Sequence, residues 1–281
     1  MLLILALAAV ALSVGIPPED WLQLTHPAAP EEPRLGIMRR ARQGGVVLTR
    51  LDPLTLKPLG TPVLIGEYHY AWSFSPDRSQ LAVAISAPAA GGRVGRVGIR
   101  IVDLARMEVA VDVSTGIAAE ALGWLKPTRL VAALQTGEVV VVDTTTGAIL
   151  HRSRLPRPVD VHLAPQAATA ARNGLVILLE AHDRRGPVHL AVADTEGGLR
   201  TVSLERKRLD DPQATFGATS RRARLAVDAE GERALVVGPR GGGAEVDLAT
   251  MRVRYRPEAA AISHPETVRE LPDGGWLELL R

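Results

Sequence analysis

The sequence predicts an all-β fold, and two observations carry this prediction. The first is the pattern of short apolar runs past Gly44, which are rich in Val, Leu and Ile and are separated by Gly, Pro, Asp or Thr every few residues. Such runs are typical of strands joined by turns. No amphipathic helical stripe of useful length interrupts them.

The second observation is a hairpin signature that recurs along the chain. An apolar strand ends in Asp, three or four turn residues follow, and a second strand begins, as in VVVVDTTTGAILHR. Asp is favoured at the first turn position because its carboxylate accepts backbone N–H bonds from residues two places further on. The copies of this hairpin contain Asp52, Asp103, Asp143, Asp194 and Asp247.

A second hairpin type alternates with the first. Its clearest copy is AWSFSPDRSQLAVAIS (71–86), in which Phe74 precedes a turn of Ser75, Pro76 and Asp77. We expect Phe74 to anchor the packing of its strand, and the corresponding residues of the other copies are Trp124, Leu163, Val227 and Leu271. Two alternating hairpins make a four-stranded unit of roughly 40 residues or more, and this period is typical of a β-propeller blade.

The stretches FSPDRSQLAVA and VVVVDTTTGAIL resemble bacterial β-propeller repeats of the WD-repeat-like, TolB-like and YVTN kind. The resemblance covers residues 44–257 unevenly and is sharpest over residues 71–155. The chain departs from these families in two respects. Arg78 stands where they usually place Gly, and no Trp-Asp dipeptide closes a blade.

The blade count follows from the order of the hairpins. We expect four internal blades, at about 71–113, 120–155, 159–205 and 223–256. The hairpins at 46–64 and 268–280 would then pair into one shared blade, giving about five blades and a closed ring without exposed edges. The alternative is that the chain is part of an incomplete, larger propeller.

The N-terminal residues indicate export. Residues 2–16 are apolar apart from Ser13 and are followed by two prolines, which predicts a signal peptide or an N-terminal anchor at residues 1–16; a buried N-terminal helix is the alternative. The Pro-rich segment 17–43 is interpreted as a tether, and residues 44–281 as the propeller domain. The expected location is extracytoplasmic: secreted, periplasmic or membrane-anchored on the outer side, with membrane contact only through that anchor.

The composition excludes several kinds of chemistry. The chain has no Cys, which removes disulfides, thiol nucleophiles and thiolate metal sites. The formal net charge is +2, and no block of like charge alternates with aromatics, so no nucleic-acid partner is predicted. Neither a Gly-x-Ser-x-Gly nor a His-Glu-x-x-His motif is present. We therefore predict no catalytic residue, no metal site and no cofactor.

The richest candidate for ligand binding is the stretch GEYHYAWS (66–73), with Tyr68, His69 and Tyr70. We expect it in a connection that leads into an innermost strand, where an aromatic loop could stack on a sugar or position a carboxylate. The alternative is structural: Trp72 wedges between blades, and the tyrosines cover the loop backbone.

A second candidate pair is Asp160 and His162, whose alternate positions place them on one face of a strand. They could bind a metal or act as an acid–base couple, although a zinc site usually takes three protein ligands. The alternative is a hydrogen bond that stabilises the blade. Glu180, His182, Asp183 and His189 are interpreted as a solvated hairpin tip.

The functional hypothesis is an exported, non-catalytic β-propeller that binds a protein or a small ligand on its loop face. Rigid blades that hold variable loops around one opening suit this role. Two alternatives stay open. One is a propeller hydrolase or lactonase with a metal site in the channel, which leaves open whether the protein is an enzyme. The other is the N-terminal fragment of a larger propeller protein.

Overall fold

The computed structural model describes residues 21–24, 34–39, 45–52, 54–55, 57–66, 68–86, 97–155, 163–171, 174–181, 188–209, 223–228, 230–238, 242–256, 268–270 and 276–278. Within these ranges, nearly all regular structure is β, as the short apolar runs predicted, and one short helix, α1 (Arg206–Leu209), follows the sixteenth strand. No helix in the described part of the chain has the length and apolar character needed to cross a membrane.

The strands form five four-stranded sheets and one two-stranded sheet among the described residues. In each sheet, every strand pairs antiparallel with its neighbours in the sequence. The strands are β1 (Trp21–Leu24), β2 (Arg34–Arg39), β3 (Val46–Leu51) and β4 (Pro58–Gly66); β5 (Tyr68–Phe74), β6 (Gln80–Ser86), β7 (Val97–Asp103) and β8 (Glu108–Ser114); β9 (Ala119–Lys126), β10 (Arg129–Leu134), β11 (Glu138–Asp143) and β12 (Ile149–Arg154); β13 (Leu163–Ala171), β14 (Gly174–Ala181), β15 (Val188–Ala193) and β16 (Leu199–Leu204); β17 (Arg224–Val227), β18 (Arg233–Val237), β19 (Gly243–Asp247) and β20 (Val253–Arg256); and β21 (Val268–Glu270) with β22 (Trp276–Glu278).

The four internal units expected from the hairpin alternation correspond to the four sheets from β5 to β20. Each combines one hairpin of the second type with one Asp hairpin, in that order. In the sheet β9–β12, for example, Leu130 in β10 lies opposite Trp124 on one side and Val142 on the other.

The N-terminal part of the chain differs from the expectation of an irregular tether at 17–43. Within that segment, β1 and β2 are strands, and β2 pairs with β3 along its whole length, from Arg34 opposite Leu51 to Arg39 opposite Val46. The apolar positions of RLGIMR and WLQL provide the extended segments, and the prolines concentrate in the connection between them. Residues 1–16, interpreted as a signal or anchor, lie outside the described residues.

The expected shared blade of residues 46–64 and 268–280 is also not what the structure shows. Strand β3 already has a partner on each side, β2 and β4, so no free edge of β3 remains for another hairpin. Strands β21 and β22 pair with each other, with Val268 opposite Glu278. Strands β3 and β4 are therefore completed into a four-stranded sheet by β1 and β2, which precede them in the chain.

The chain divides into two compact units, residues 1–72 with 78–118, and residues 73–77 with 119–281. In the second unit, the core lies between the faces of successive sheets. One cluster joins β14–β16 to β17–β19 through side chains such as Leu178, Leu190 and Val236, and another joins β9–β11 to β14–β15 through Val131, Val141 and Ile177. All of these side chains are at most 1% exposed, so both faces of the sheet β13–β16 are covered.

Candidate functional site

The two ends of each sheet are built differently. In the four sheets from β5 to β20, the end with the connections from first to second and from third to fourth strand has short turns, for example 127–128 and 144–148. We call this the turn end. The opposite end, the loop end, has connections as long as 87–96, 155–162 and 205–223. Since loops of variable length carry binding functions on rigid scaffolds, the loop end is the candidate site.

The turn end is organised by the repeated aspartates. The Asp143 carboxylate accepts hydrogen bonds at 3.0 Å from the backbone N–H groups of Thr145 and Thr146, as expected from the turn chemistry. The other four turn aspartates accept backbone hydrogen bonds in the same way, at 2.6–3.0 Å: Asp52 from Leu54 and Thr55, Asp103 from Ala105 and Arg106, Asp194 from Glu196 and Gly198, and Asp247 from Ala249 and Thr250. These aspartates are therefore turn-forming residues.

The hydrogen bonds lower the pKa values of three of these carboxyl groups. For Asp143 the largest cause is the hydroxyl of Thr145. For Asp52 it is the backbone N–H of Thr55, and for Asp247 the backbone N–H of Thr250. A carboxylate held in its ionised form by turn donors is unsuited to act as a general acid near neutral pH.

Three of the five Asp turns, those of Asp103, Asp194 and Asp247, also receive a bond from the sheet that precedes them. Ser153 in β12 donates from its hydroxyl to the carbonyl oxygen of Gly197 at 2.5 Å, and the Arg200 guanidinium in β16 donates to the carbonyl oxygen of Ala249 at 2.8 Å. The guanidinium of Arg50 in β3 donates to the carbonyl of Leu104. These three turns are therefore held both by their own aspartate and by the preceding sheet.

The hairpin of residues 71–86 has the expected turn, with one unusual backbone position. Ser75 is buried and donates from its hydroxyl to the Asp77 carboxylate at 2.6 Å, while Pro76 and Asp77 are exposed and Phe74 is half-buried. Arg78 has a φ of 58°. Gly231 holds the same position in the turn between β17 and β18 and has a φ of 70°, so this position needs a left-handed backbone, which Gly adopts without strain.

Trp124 connects neighbouring strands of the second unit. Its side chain is 4% exposed, and its indole N–H donates to the carbonyl oxygen of Pro127 at 3.2 Å. Its backbone N–H donates to the hydroxyl of Ser73 at 3.1 Å. A tryptophan with its one polar atom satisfied and its ring buried is a packing residue.

The structure changes the position assigned to the aromatic stretch. Tyr68, His69 and Tyr70 lie in strand β5 and not in a connection; their side chains lie outside the described part. Asp160 and His162 also lie outside the described residues, as do His182 and Asp183. Glu180 belongs to β14 and His189 to β15, so these two are strand residues and not part of a solvated hairpin tip.

The described polar groups of the loop end form local pairs. On the sheet β9–β12, the Gln135 amide donates to the Glu120 carboxylate at 2.6 Å. After β16, the backbone N–H of Glu205 donates to the Tyr255 hydroxyl at 2.8 Å, and the Arg208 guanidinium lies 4.7 Å from the centre of the Tyr255 ring. The side chains of Gln135 and Lys207 are exposed at this end, where they could contact a partner.

A pair that the sequence analysis missed is His189 with Ser203. The Nδ1 atom of His189 lies 2.9 Å from the Ser203 hydroxyl, across the register of β15 and β16. Burial lowers the pKa of His189, which keeps the imidazole neutral at neutral pH. Its Nε2 atom is buried and has no hydrogen-bond partner among the described residues, so the pair lacks the orienting group of a catalytic triad in that part of the chain.

No metal centre emerges from the described ranges either. Nowhere in them do three His, Cys, Asp or Glu side chains come together as a metal site would require. The described part of the loop end offers polar side chains that contact one another locally.

Comparisons with known proteins place the fold. No family model matches the chain, and no curated protein matches it. The WD40 domain of Neurospora crassa Pan2 is similar in structure, with a TM-score of 0.55 and 14% identity over 83% of this chain and 63% of that one. The β-propeller domain of Myceliophteria thermophila Cps50 (Swd1) has a TM-score of 0.47 and 17% identity, over 75% of this chain and 62% of that one.

The likeness to the Pan2 domain, together with the repeated four-stranded sheets, shows that the protein has the β-propeller fold predicted from its hairpins. About five blades agree with the five four-stranded sheets of the described residues. The chain spans 63% of the length of the Pan2 domain that it matches. At 14% identity, the likeness concerns the fold.

Proposed function

We propose that the protein is a non-catalytic interaction module that binds a protein or a small ligand at the loop end of its blades. The observation that carries this proposal is the difference between the two ends of the sheets. The turn end has short connections, fixed by aspartates and, at three of the Asp turns, by the preceding sheet. The loop end has connections of widely different length, such as 135–137 and 205–223.

The likeness to a WD40 domain supports a binding role because such rigid sheets can hold loops in place without contributing a reaction of their own. We also propose that the protein is exported, which rests on the apolar segment 2–16. A kinship with bacterial TolB-like and YVTN repeats remains part of the same proposal and rests on residues 71–155.

The chain has no Cys, so one introduced cysteine can be labelled alone. We would introduce Gln135→Cys or Lys207→Cys at the loop end and attach a polyethylene glycol chain through a maleimide. The matched controls are Arg106→Cys and Glu230→Cys, which are exposed at the turn end. Binding is measured to a partner that the unlabelled protein captures saturably from the exported fraction.

Labelling at the loop end should abolish this binding, whereas labelling at the turn end should leave it unchanged. The reverse pattern would contradict the proposed location. Export is tested separately by fusing residues 1–43 to an alkaline phosphatase that lacks its own signal. The fused enzyme should be active because it folds only outside the cytoplasm; an inactive fusion would overturn export.

A further inference from the structure

The outer strands of three sheets in the second unit carry positive charge and no negative charge. Strands β12 (ILHRSR), β16 (LRTVSL) and β20 (VRYR) are the fourth strands of their sheets and contain Arg but no Asp or Glu. The fourth strand of the sheet β5–β8 is different, since EVAVDVS contains Glu108 and Asp112 and no basic residue. The basic character is therefore a feature of particular strands, not of the fold.

On β12, the arrangement is specific. Arg152 and Arg154 alternate along the strand, so they lie on the same face. Leu150 lies next to them at a β-bulge, where the register against β11 shifts between Val141 and Val142. All three are exposed, Leu150 at 40%. Residues two apart on one face of a strand are about 6.8 Å apart. An extended chain has the same repeat, so two of its alternate side chains can match the two arginines one for one.

The two guanidinium groups are available for a partner. Arg154 makes no ion pair with another described residue. Arg152 reaches the Glu138 carboxylate only at 3.7 Å, and its side chain is 51% exposed. An exposed pair at this distance contributes little stability, so a better-placed carboxylate can replace Glu138 at small cost.

The backbone of β12 is also open on one side among the described residues. The sheet order is β9-β10-β11-β12, so β12 pairs with β11 on one edge and ends the sheet on the other. An edge strand offers unpaired N–H and C=O groups that can pair with an added strand. Opposite charges placed directly across two strands add stability to such pairing.

We propose that β12 binds an extended acidic segment of a partner protein by strand addition. Two carboxylates of this segment, two residues apart, lie opposite Arg152 and Arg154. This surface differs from the loop end, and the inference does not depend on what the loop end binds.

An acidic protein segment fits β12 better than the other polyanions. Binding of single-stranded nucleic acid relies on aromatic side chains on which bases stack. The one ring on β12 is the imidazole of His151, which alternation places on the face opposite to Arg152 and Arg154. A membrane surface needs a larger apolar face than the single Leu150 provides. Alternating carboxylates on an extended backbone satisfy both the charges and the strand edge.

The test uses the full chain and a labelled, end-blocked peptide in which Glu and Thr alternate, measured by fluorescence anisotropy. The double variant Arg152→Glu/Arg154→Glu should weaken binding at least tenfold. The control Lys57→Glu/Arg106→Glu makes the same change in net charge at exposed turn positions and should bind as the wild type does. Arg152→Lys/Arg154→Lys should retain most of the binding.

Further probes separate strand addition from simple charge attraction. A peptide whose central Glu and Thr residues are all N-methylated keeps its carboxylates but lacks the backbone donors of an added strand, and it should bind at least tenfold more weakly. Equal binding of the N-methylated peptide, or equal loss in both charge-reversal variants, would overturn the proposal. The proposal would also be overturned if an oligothymidine or phosphatidylserine vesicles bound more tightly than the peptide and this binding were lost in Arg152→Glu/Arg154→Glu. Melts of each variant show that the fold is kept.

Discussion

Met107 and Gly147 occupy the same position in equivalent turns. Each lies four residues after the turn aspartate, Asp103 or Asp143, and each has a positive φ, 54° for Met107 and 76° for Gly147. A residue with a Cβ atom is strained in this conformation, by about 1–2 kcal/mol, whereas Gly is not. The turn geometry thus requires a left-handed residue whether or not the sequence supplies Gly.

Replacing Met107 by Gly should therefore stabilise the protein. The relief of strain exceeds the larger entropy loss of Gly, and the free energy of unfolding should rise by up to about 1 kcal/mol. Urea denaturation measures this change. The comparison is Met251→Gly, which relieves the same strain at a φ of 57° but removes a side chain packed on the core. Met251→Gly should show less gain or none, and equal gains would contradict this account.

The Asp143 turn should make stability depend on acid. The folded state lowers the pKa of Asp143 from an unfolded value of about 4. The stabilisation is therefore complete above that value and is lost as the pH falls below it towards the lower, folded value. In Asp143→Asn, the urea midpoint should fall less than in the wild type between about pH 6 and about pH 3. Equal falls would show that other groups cause the acid sensitivity.

His189 should give a second pH dependence at a higher pH. Burial lowers its pKa below the usual value of about 6.5, so the unfolded chain binds the proton more readily. Stability is then complete above about pH 6.5 and is lost as the pH falls through the folded pKa. His189→Leu should lose less stability than the wild type between about pH 7.5 and about pH 5.5 in urea titrations. The other histidines titrate in both proteins, so their contributions cancel in the comparison. If the variant and the wild type lost the same stability over this pH range, His189 would not be the cause of the pH dependence.

Gly123 provides a test of packing between β9 and β14. A Cβ atom added at Gly123 would lie 2.5 Å from Cδ1 of Leu175, a fully buried side chain. Gly123→Ala should destabilise the protein by about 1–3 kcal/mol, and Leu175→Ala by about 2–5 kcal/mol. The double variant should lose less stability than the sum of the two single losses, because Ala at position 175 leaves room for the new methyl group at position 123.

The control for this pair is Gly116→Ala, where φ is 74° and no atom lies within 4 Å of the added Cβ. Its cost comes from backbone strain alone, so it should be the same with Leu175 or Ala at position 175. Additive costs for Gly123 and Leu175 would show that Leu175 moves aside freely.

The parts of the structure that the sequence predicted are local. The turn at Asp143 is formed by residues within five positions of it, since Thr145 and Thr146 donate to its carboxylate; the more distant bond from the Arg129 guanidinium, at 2.6 Å, comes from the neighbouring strand β10. The alternation of hairpins likewise gave the order of strands from β5 to β20, since each strand pairs with its neighbours in sequence.

The parts that the sequence did not predict depend on pairing or register. Strands β1 and β2 are short and are separated by a Pro-rich connection, so composition suggested a tether, and only the pairing of β2 with β3 makes them part of a sheet. The contact of His189 with Ser203 follows from the register of β15 and β16. The side chains of Tyr68 and Asp160 are outside the described part, so their ligand-binding role stays a prediction.

The pairing of every strand with its sequence neighbours has a consequence for biogenesis. A sheet such as β9–β12 needs only the continuous segment 119–154 to complete its hydrogen bonding, and contacts between near neighbours in sequence favour fast folding. During synthesis, each sheet of the second unit can form soon after its last strand is made and then serve as the surface on which the next sheet packs, as Ser153 does for the turn at Gly197. The sheets β9–β12, β13–β16 and β17–β20 can thus be assembled one blade at a time in chain order.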